Sequence, residues 1–137
     1  MVLSKTSHNV IESHSDRTSN IEFWENRIVF IKIKDNVNIE FEDAQQQFLL
    51  LKSKYNGIKK HLVLVETGND TSISKEAREF SAKPESNEMT SAMAVIVQSL
   101  AQRIVINFII KFTRQQTMKM KLFDDKQKGI DWLLTHK

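Results

Sequence analysis

Hydrophobic and polar positions fall into blocks along the chain, and these blocks predict strands and helices in turn. Residues 61–66 and 92–97 are apolar at nearly every position, which is typical of strands covered on both faces of a parallel sheet. Residues 21–24 and 27–34 are short apolar runs separated by two polar residues, and this pattern predicts a β-hairpin. Residues 118–122 alternate apolar and basic side chains, so we expect a strand at the edge of the sheet.

Helices are predicted between and after these strands. Ser74 and Ser99 stand at the starts of two of them as N-caps, with Gln102 placed for a capping box, and Asn56-Gly57 ends the first helix. The predicted helices cover residues 42–55, 74–80, 99–112 and 125–135. Strands that alternate with helices favour right-handed crossovers. The sequence therefore predicts one α/β domain, β-β-α-β-α-β-α-β-α, with a five-stranded, mostly parallel sheet and an N-terminal β-hairpin strand.

The first twenty residues follow a different pattern. They are rich in Ser, Thr, Asn and His, and their apolar residues are too scattered to form a stripe. We expect a flexible polar tail over 1–20 and a single α/β domain over 21–137. The tail lacks the basic start and apolar run of a signal peptide. No apolar stretch approaches the roughly 20 residues that span a bilayer, and we expect a cytoplasmic protein.

Composition excludes several kinds of chemistry. The 137 residues contain no cysteine, which excludes disulfides, thiolate metal sites and a Cys nucleophile. The four histidines are scattered without metal-ligand spacing. A glycine-rich phosphate loop and a nucleophile elbow are both missing from the sequence. We therefore expect a protein that is not an enzyme and holds neither a metal nor a cofactor.

Charge is distributed unevenly within the net charge of +3. Residues 99–137 contain 8 basic and 3 acidic side chains, a balance of +5. A basic surface for phosphate-bearing ligands or acidic partners is one interpretation; its members would be Arg114, Lys119, Lys121, Lys126 and Lys128. Aromatic residues do not interleave with these cations as stacking platforms would require. A solvated, lysine-rich edge is therefore the favoured interpretation, and nucleic-acid binding is disfavoured.

Several short motifs have counterparts in a known family. They are Ser74–Glu79, Arg103, Asn107-Phe108, Lys111-Phe112, Lys121-Leu122-Phe123 and Trp132-Leu133. With the order of elements, they resemble the STAS domains, the anti-sigma-factor antagonists of the SpoIIAA type. They are most similar to an uncharacterised bacterial family of SpoIIAA-like, STAS/SEC14-type single domains, over roughly residues 21–136. The resemblance implies a SpoIIAA-like fold and a non-enzymatic regulatory module that binds a protein partner.

The phosphorylation motif of that family is altered in this chain. STAS antagonists carry an Asp-Ser-Ser-Gly-like motif, with a phosphorylated serine, at the start of the helix after the third strand. The matching stretch is 73–77, with Ala77 at the glycine and Lys75 or Glu76 at the phosphorylated serine. Ser74 is predicted to be a helix N-cap. The alternative hypothesis is that Ser72 or Ser74 accepts a phosphate at the helix N-terminus.

A candidate partner surface combines the loop 68–73, the helix 74–80 and the outer side of the helix 99–112. Its candidate residues are Thr67, Asp70, Ser72, Ser74, Glu76, Ile106 and Ile110. On the helix 99–112, spacing predicts an apolar face that buries against the sheet. This face consists of Leu100, Ile104, Val105, Phe108 and Phe112. Ile106 and Ile110 would then be covered by a neighbouring helix or the tail, or exposed for a homodimer or another protein.

Binding of a small ligand is the alternative to the interaction module. STAS and SEC14-type domains resemble one another in holding nucleotides or lipids, so a small-ligand binding domain is the alternative. Open α/β sheets bind ligands at the carboxyl ends of their strands. The pocket would lie beside Thr67, Asp70 and Gln98. A roomy cavity would favour the ligand binder, and a filled core with an exposed apolar patch would favour the interaction module.

Overall fold

One main sheet organises the chain. A computed structural model describes residues 9–104, 107 and 118–137. Within these residues the strands are β1 (Val10–Ser15), β2 (Ser19–Trp24), β3 (Ile28–Ile33), β4 (Asn38–Ile39), β5 (His61–Glu66), β6 (Ser72–Ile73), β7 (Thr90–Ile96) and β8 (Lys119–Phe123). Six of them form the main sheet in the order β1-β2-β3-β5-β7-β8, and β4 pairs with β6 in a separate ribbon.

Strand directions follow the predicted arrangement. β1 and β3 both pair with β2 in antiparallel fashion. The pairs β3–β5, β5–β7 and β7–β8 are parallel. The predicted hairpin of β2 and β3, the mostly parallel α/β sheet and the edge position of β8 are therefore confirmed.

The helices connect these strands. They are α1 (Phe41–Ser53), α2 (Lys75–Ala82), α3, which begins at residue 100 and whose described residues are 100–104 and 107, and α4 (Lys126–Leu134), with a 3-10 turn at Pro84–Asn87. Ser74 caps α2, because its hydroxyl accepts a hydrogen bond from the Ala77 amide. Helix α1 ends at Ser53, with Lys54 as its C-cap in a right-handed conformation, so the predicted cap at Asn56-Gly57 is wrong. Gly57 has a left-handed φ of 81° in the turn that follows. No helix in the described part of the chain is long and apolar enough to cross a membrane.

Strand β1 corrects the interpretation of residues 1–20. Residues 10–15 pair with β2, so the polar segment from 10 to 20 belongs to the sheet, which has six strands and not five. An edge strand exposes one backbone edge and needs few apolar side chains, and this is why the polar pattern was misleading. Its inner side is held by the His14 ring, 5.9 Å from the Phe23 ring centroid, and by Lys54 Nζ, 2.6 Å from Glu12 Oε2. Residues 1–8 lie outside the described residues.

The two faces of the sheet are packed differently. Helix α4 covers one face, where Leu62, Leu64 and Ala92 are completely buried together with Ile130 and Leu133 of α4. Helix α1 packs on the opposite face, around a smaller buried cluster, and α2 packs against α1. That cluster consists of Ile21, Val29, Ile31 and Val63, with half-buried neighbours that include Ile33, Val65 and Met93.

Candidate functional site

A polar cleft lies at the carboxyl ends of the central strands β5 and β7. It has a volume of about 580 Å³ and is lined by the loop 67–71 and by residues 99, 101 and 102 at the start of α3. This is the end of a parallel sheet at which open α/β folds place ligands. The cleft lies where the sequence places the pocket of the small-ligand alternative. Thr67 and Asp70 line it, whereas Gln98 is not among its described lining residues.

Close backbone packing fixes the loop that forms one wall. A side chain at Gly68 would place its Cβ 2.5 Å from the Lys34 carbonyl oxygen and 2.7 Å from that of Ile33. The Asn36 amide donates to the Asn69 carbonyl at 2.8 Å, and the Asn69 amide donates to Asp35 Oδ1 at 2.8 Å. The turns that follow β3 and β5 are thus joined, and only glycine fits at position 68.

Gln102 joins the other wall to the loop. Its Nε2 donates to the Gly68 carbonyl at 2.8 Å, and its Oε1 accepts from the Gln98 amide at 2.7 Å. Thr67 Oγ1 lies 2.8 Å from the same Oε1 and 2.9 Å from the Ile96 carbonyl oxygen. The Ser99 hydroxyl accepts from the Gln102 amide, as expected of an N-cap. The Gln102 side chain therefore hydrogen-bonds Gln98 and the loop, and not the Ser99 amide as a capping box would require. It bridges the two walls of the cleft.

The predicted surface residues occupy different environments. Thr67 is buried and holds the loop, whereas Asp70 is exposed at its tip with a left-handed φ of 53°. Ser72 is exposed on β6, and its hydroxyl donates to Asn38 Oδ1 at 2.6 Å. Ser74 is half-buried as the α2 cap, and Glu76 is exposed in the first turn of α2. The structure thus brings Thr67 and Asp70 to the cleft and places the other three on the neighbouring ribbon and helix.

The orientation of α3 differs from the prediction. Leu100 and Ile104 are exposed over 73% and 62% of their surface, so the expectation that they bury against the sheet is wrong. Each is two residues from Gln102, about 200° around a helix of 3.6 residues per turn. Because Gln102 points at the loop, both side chains point away from the domain. The predicted outer residues Ile106 and Ile110, like Val105, Phe108 and Phe112, lie outside the described residues.

The C-terminal lysines have individual partners. Lys126 Nζ lies 4.0 Å from the Phe30 ring centroid, and Lys121 Nζ lies 5.5 Å from the Phe123 ring centroid. Lys128 pairs with Asp124 at 3.7 Å. Lys119 and Lys121 are exposed on the edge strand β8, and Arg114 lies outside the described residues. Lys119 and Lys121 therefore form the predicted lysine-rich edge. Lys121 and Lys126 also make cation–π contacts with aromatic rings.

Two buried titratable groups lie outside the cleft. Burial lowers the pKa of His61, whose Nε2 lies 2.9 Å from the Leu51 carbonyl oxygen. The Arg17 guanidinium, which hydrogen-bonds Asp43, lowers the pKa of that carboxyl group. The described residues contain no group of three or more His, Asp or Glu side chains that could hold a metal ion.

Sequence and structure comparisons show which proteins this domain resembles. The model of DUF7793, a domain of unknown function, matches residues 22–137. The chain belongs to the DUF7793 family. No curated protein is significantly similar to this DUF7793 chain in sequence.

The fold of this DUF7793 domain is shared with a solved structure. The crystal structure of an uncharacterized protein from the DUF3478 family, with a SpoIIAA-like fold, comes from Shewanella loihica PV-4. It is 21% identical to this chain, with a TM-score of 0.59, and the match covers 96% of this chain and 99% of that one. The predicted SpoIIAA-like fold is confirmed.

Proposed function

We propose that the chain is a non-enzymatic module that binds a protein partner through the rim of the cleft and the exposed side of α3. The observation that carries the proposal is the exposure of Leu100 and Ile104, one helical turn apart, beside the loop 67–71. Large apolar side chains presented at i and i+4 are the pattern by which helices engage apolar partners. The SpoIIAA-like fold supports the general kind of domain, and it carries no specific activity by itself.

Charge around this surface indicates the chemistry of the partner. Arg103 and Asn107 are also exposed, at the i+3 and i+7 positions relative to Leu100. A partner with an apolar segment and an acidic side chain would complement this face, because the carboxylate would pair with Arg103. Among the described cleft-lining residues Asp70 is the one charged side chain. A phosphate group in the cleft would meet that carboxylate, which disfavours the nucleotide alternative.

Substitution on α3 tests the proposal. We expect Leu100→Glu and Ile104→Glu each to reduce recovery of cross-linked partners from the native cell at least tenfold, because a buried unpaired carboxylate is costly. Leu49→Glu is the matched control, since Leu49 is also exposed, over 54% of its surface, but lies on α1. Equal recovery with all three variants, each folded by circular dichroism, would contradict the proposal.

Light scattering distinguishes a second copy of the chain from a different partner. If the α3 face binds a second copy, the purified protein is a dimer and Leu100→Glu makes it a monomer. If the partner is another protein, the purified chain keeps one mass in both forms, and the cross-linked product contains a different sequence. In either case the surface is the same, and the result identifies what covers it.

Phosphorylation beside this surface is a separate part of the proposal. Ser72 is exposed, whereas the Ser74 hydroxyl accepts the capping hydrogen bond from Ala77. Ser72 is therefore the more accessible of the two candidates. We expect intact-mass analysis of protein from its native cell to show a phosphorylated fraction that Ser72→Ala removes and Ser74→Ala retains. A fraction absent in every growth condition would count against phosphorylation at either residue.

A further inference from the structure

A second cavity, partly open to solvent, lies on the α1 side of the sheet and shares Thr67 with the polar cleft. It has a volume of about 220 Å³ and lies between the sheet and helices α1 and α2. Val65 and Met93 line it from the sheet, Ala44 and Phe48 from α1, and Phe80 from α2. The rings of Phe48 and Phe80 meet edge to face, with their centroids 5.7 Å apart, so the two helices contact each other above the cavity.

Among the described residues, burial on this side of the sheet is incomplete. Leu64 and Val65 are neighbours on the central strand β5 and point to opposite faces. Leu64, which faces α4, is completely buried, but Val65, which faces the cavity, is only partly buried. In β7 the same contrast separates Ala94 from Met93. Protein interiors are normally close-packed, and the described residues leave the space beside Val65 and Met93 unfilled.

The chemistry of the wall selects the kind of molecule. Thirteen of the twenty described lining residues are apolar, and the others are Ser, Thr, Gln or Asn. None of these twenty is charged. An ion would lose its hydration without finding a counter-charge there, which is costly. The wall therefore favours an uncharged ligand, with hydroxyl and amide groups available for one polar substituent.

We infer that this cavity is a binding site for one small, uncharged, mainly apolar molecule. An apolar cavity of about 150 Å³ in another protein stays dry and binds benzene. Scaled from that case, 220 Å³ has room for roughly nine non-hydrogen atoms. A bicyclic aromatic molecule or a short aliphatic alcohol has this size. The site is separate from the α3 surface and does not depend on the proposed partner binding.

Indole is a suitable probe, because it is uncharged, has nine non-hydrogen atoms and carries one N–H donor. We expect indole to raise the Tm of the full chain by about 5 °C at a concentration tenfold above its Kd. In a methyl-labelled sample, saturable chemical-shift changes should fall on Val63, Val65 and Met93, while Leu62 and Leu64 change little. Indole-3-carboxylate adds a charge to the same ring system and should produce neither effect.

A pair of substitutions on α1 provides the control. Ala44→Leu adds three carbon atoms into the cavity, and we expect it to abolish the indole-dependent rise in Tm. Gln46→Leu places the same side chain on the exposed side of the same helix and should bind indole like the unmodified chain. If Ala44→Leu does not fold, the methyl shifts of the unmodified chain still locate or exclude the site.

Three results would overturn the inference. They are the absence of saturable indole binding, shift changes confined to residues outside the cavity, and undiminished binding by a folded Ala44→Leu variant. The first result would also be obtained if side chains of the chain itself fill the space. A failure here leaves the proposed partner binding unaffected, because Leu100→Glu and Ile104→Glu test a different surface.

Discussion

At the scale of single residues, the cleft depends on a backbone contact that only one side chain permits. Gly68 is buried against the carbonyl groups of Ile33 and Lys34, and its own carbonyl accepts from Gln102. A methyl group there would force apart the loop 67–71 and the end of β3. Glycine at this position thus links the stability of the domain to the shape of the cleft.

We expect Gly68→Ala to lower the free energy of unfolding by about 3 kcal/mol, because the clash is with backbone atoms that cannot rotate away. Urea unfolding followed by circular dichroism measures the change. Gly57→Asn is the control, since Gly57 has open space around it and asparagine tolerates its left-handed φ; its cost should stay below about 0.5 kcal/mol. Equal stability of the two variants would show that the contact at Gly68 is not restrictive.

His61 connects the stability of the domain to pH. Burial lowers its pKa in the folded chain, whereas the unfolded chain binds a proton near pH 6.5. The associated stability is fully present above pH 6.5 and is lost as the pH falls from there toward the folded pKa. We expect the free energy of unfolding to fall more steeply between pH 7 and pH 5 in the unmodified chain than in His61→Gln. Parallel profiles would contradict this assignment.

At the scale of elements, continuous apolar runs were more informative than polar segments. The predicted strand 61–66 coincides with β5, and the predicted hairpin strands match β2 and β3 within two residues. Strand β1 was missed because an edge strand can be polar, and the two-residue strands β4 and β6 are too short to produce a pattern. β1 forms a local hairpin with β2, whereas β4 and β6 form by pairing Asn38 with the distant Ser72, which local sequence does not reveal.

The cleft also combines features that local sequence reveals with features that only folding creates. Strand order alone placed Thr67 and Asp70 at the carboxyl end of β5, where the cleft is found. The bridging role of Gln102 was not predictable, because two of its partners, Thr67 and Gly68, are distant in the chain and meet it only after folding. The exposure of Leu100 and Ile104 follows from that bridge, so apolar spacing alone indicated the wrong face of α3.

The N-cap of α2 allows a direct test at this scale. We expect Ser74→Ala to cost about 1 kcal/mol, because the Ala77 amide loses its hydrogen-bond acceptor. Ser74→Asp should restore most of that loss, since aspartate caps helices equally well. Ser72→Ala should change the free energy of unfolding by less than about 0.5 kcal/mol, because Ser72 is exposed. Thermal or urea unfolding of the three variants gives the comparison.

At the scale of the whole molecule, the sheet separates two unequal halves. The α4 side has the larger cluster of buried side chains, and the α1 side contains the partly open 220 Å³ cavity. Ile28 is completely buried on the first side, and Ile33 is half-buried at the cavity. The same substitution on the two sides therefore measures how differently they are packed.

We expect Ile28→Val to lower the free energy of unfolding by about 1 kcal/mol, because it leaves a void in a filled region. Ile33→Val should cost less than about 0.5 kcal/mol, since its lost methyl group borders space that is already empty. Urea unfolding of both variants under one set of conditions checks the difference. Equal costs would mean that the α1 side is as tightly packed as the α4 side.

This unequal packing has a mechanical consequence. Hydrostatic pressure favours states of smaller volume, and the volume lost on unfolding scales with the internal voids that unfolding removes. One apolar void of this domain lies beside Val65 and Met93, beneath α1 and α2. Compression should therefore loosen these two helices first, while the half beneath α4 keeps its structure. A molecule that fills the cavity would make the domain stiffer, so an occupied domain would resist compression better than an empty one.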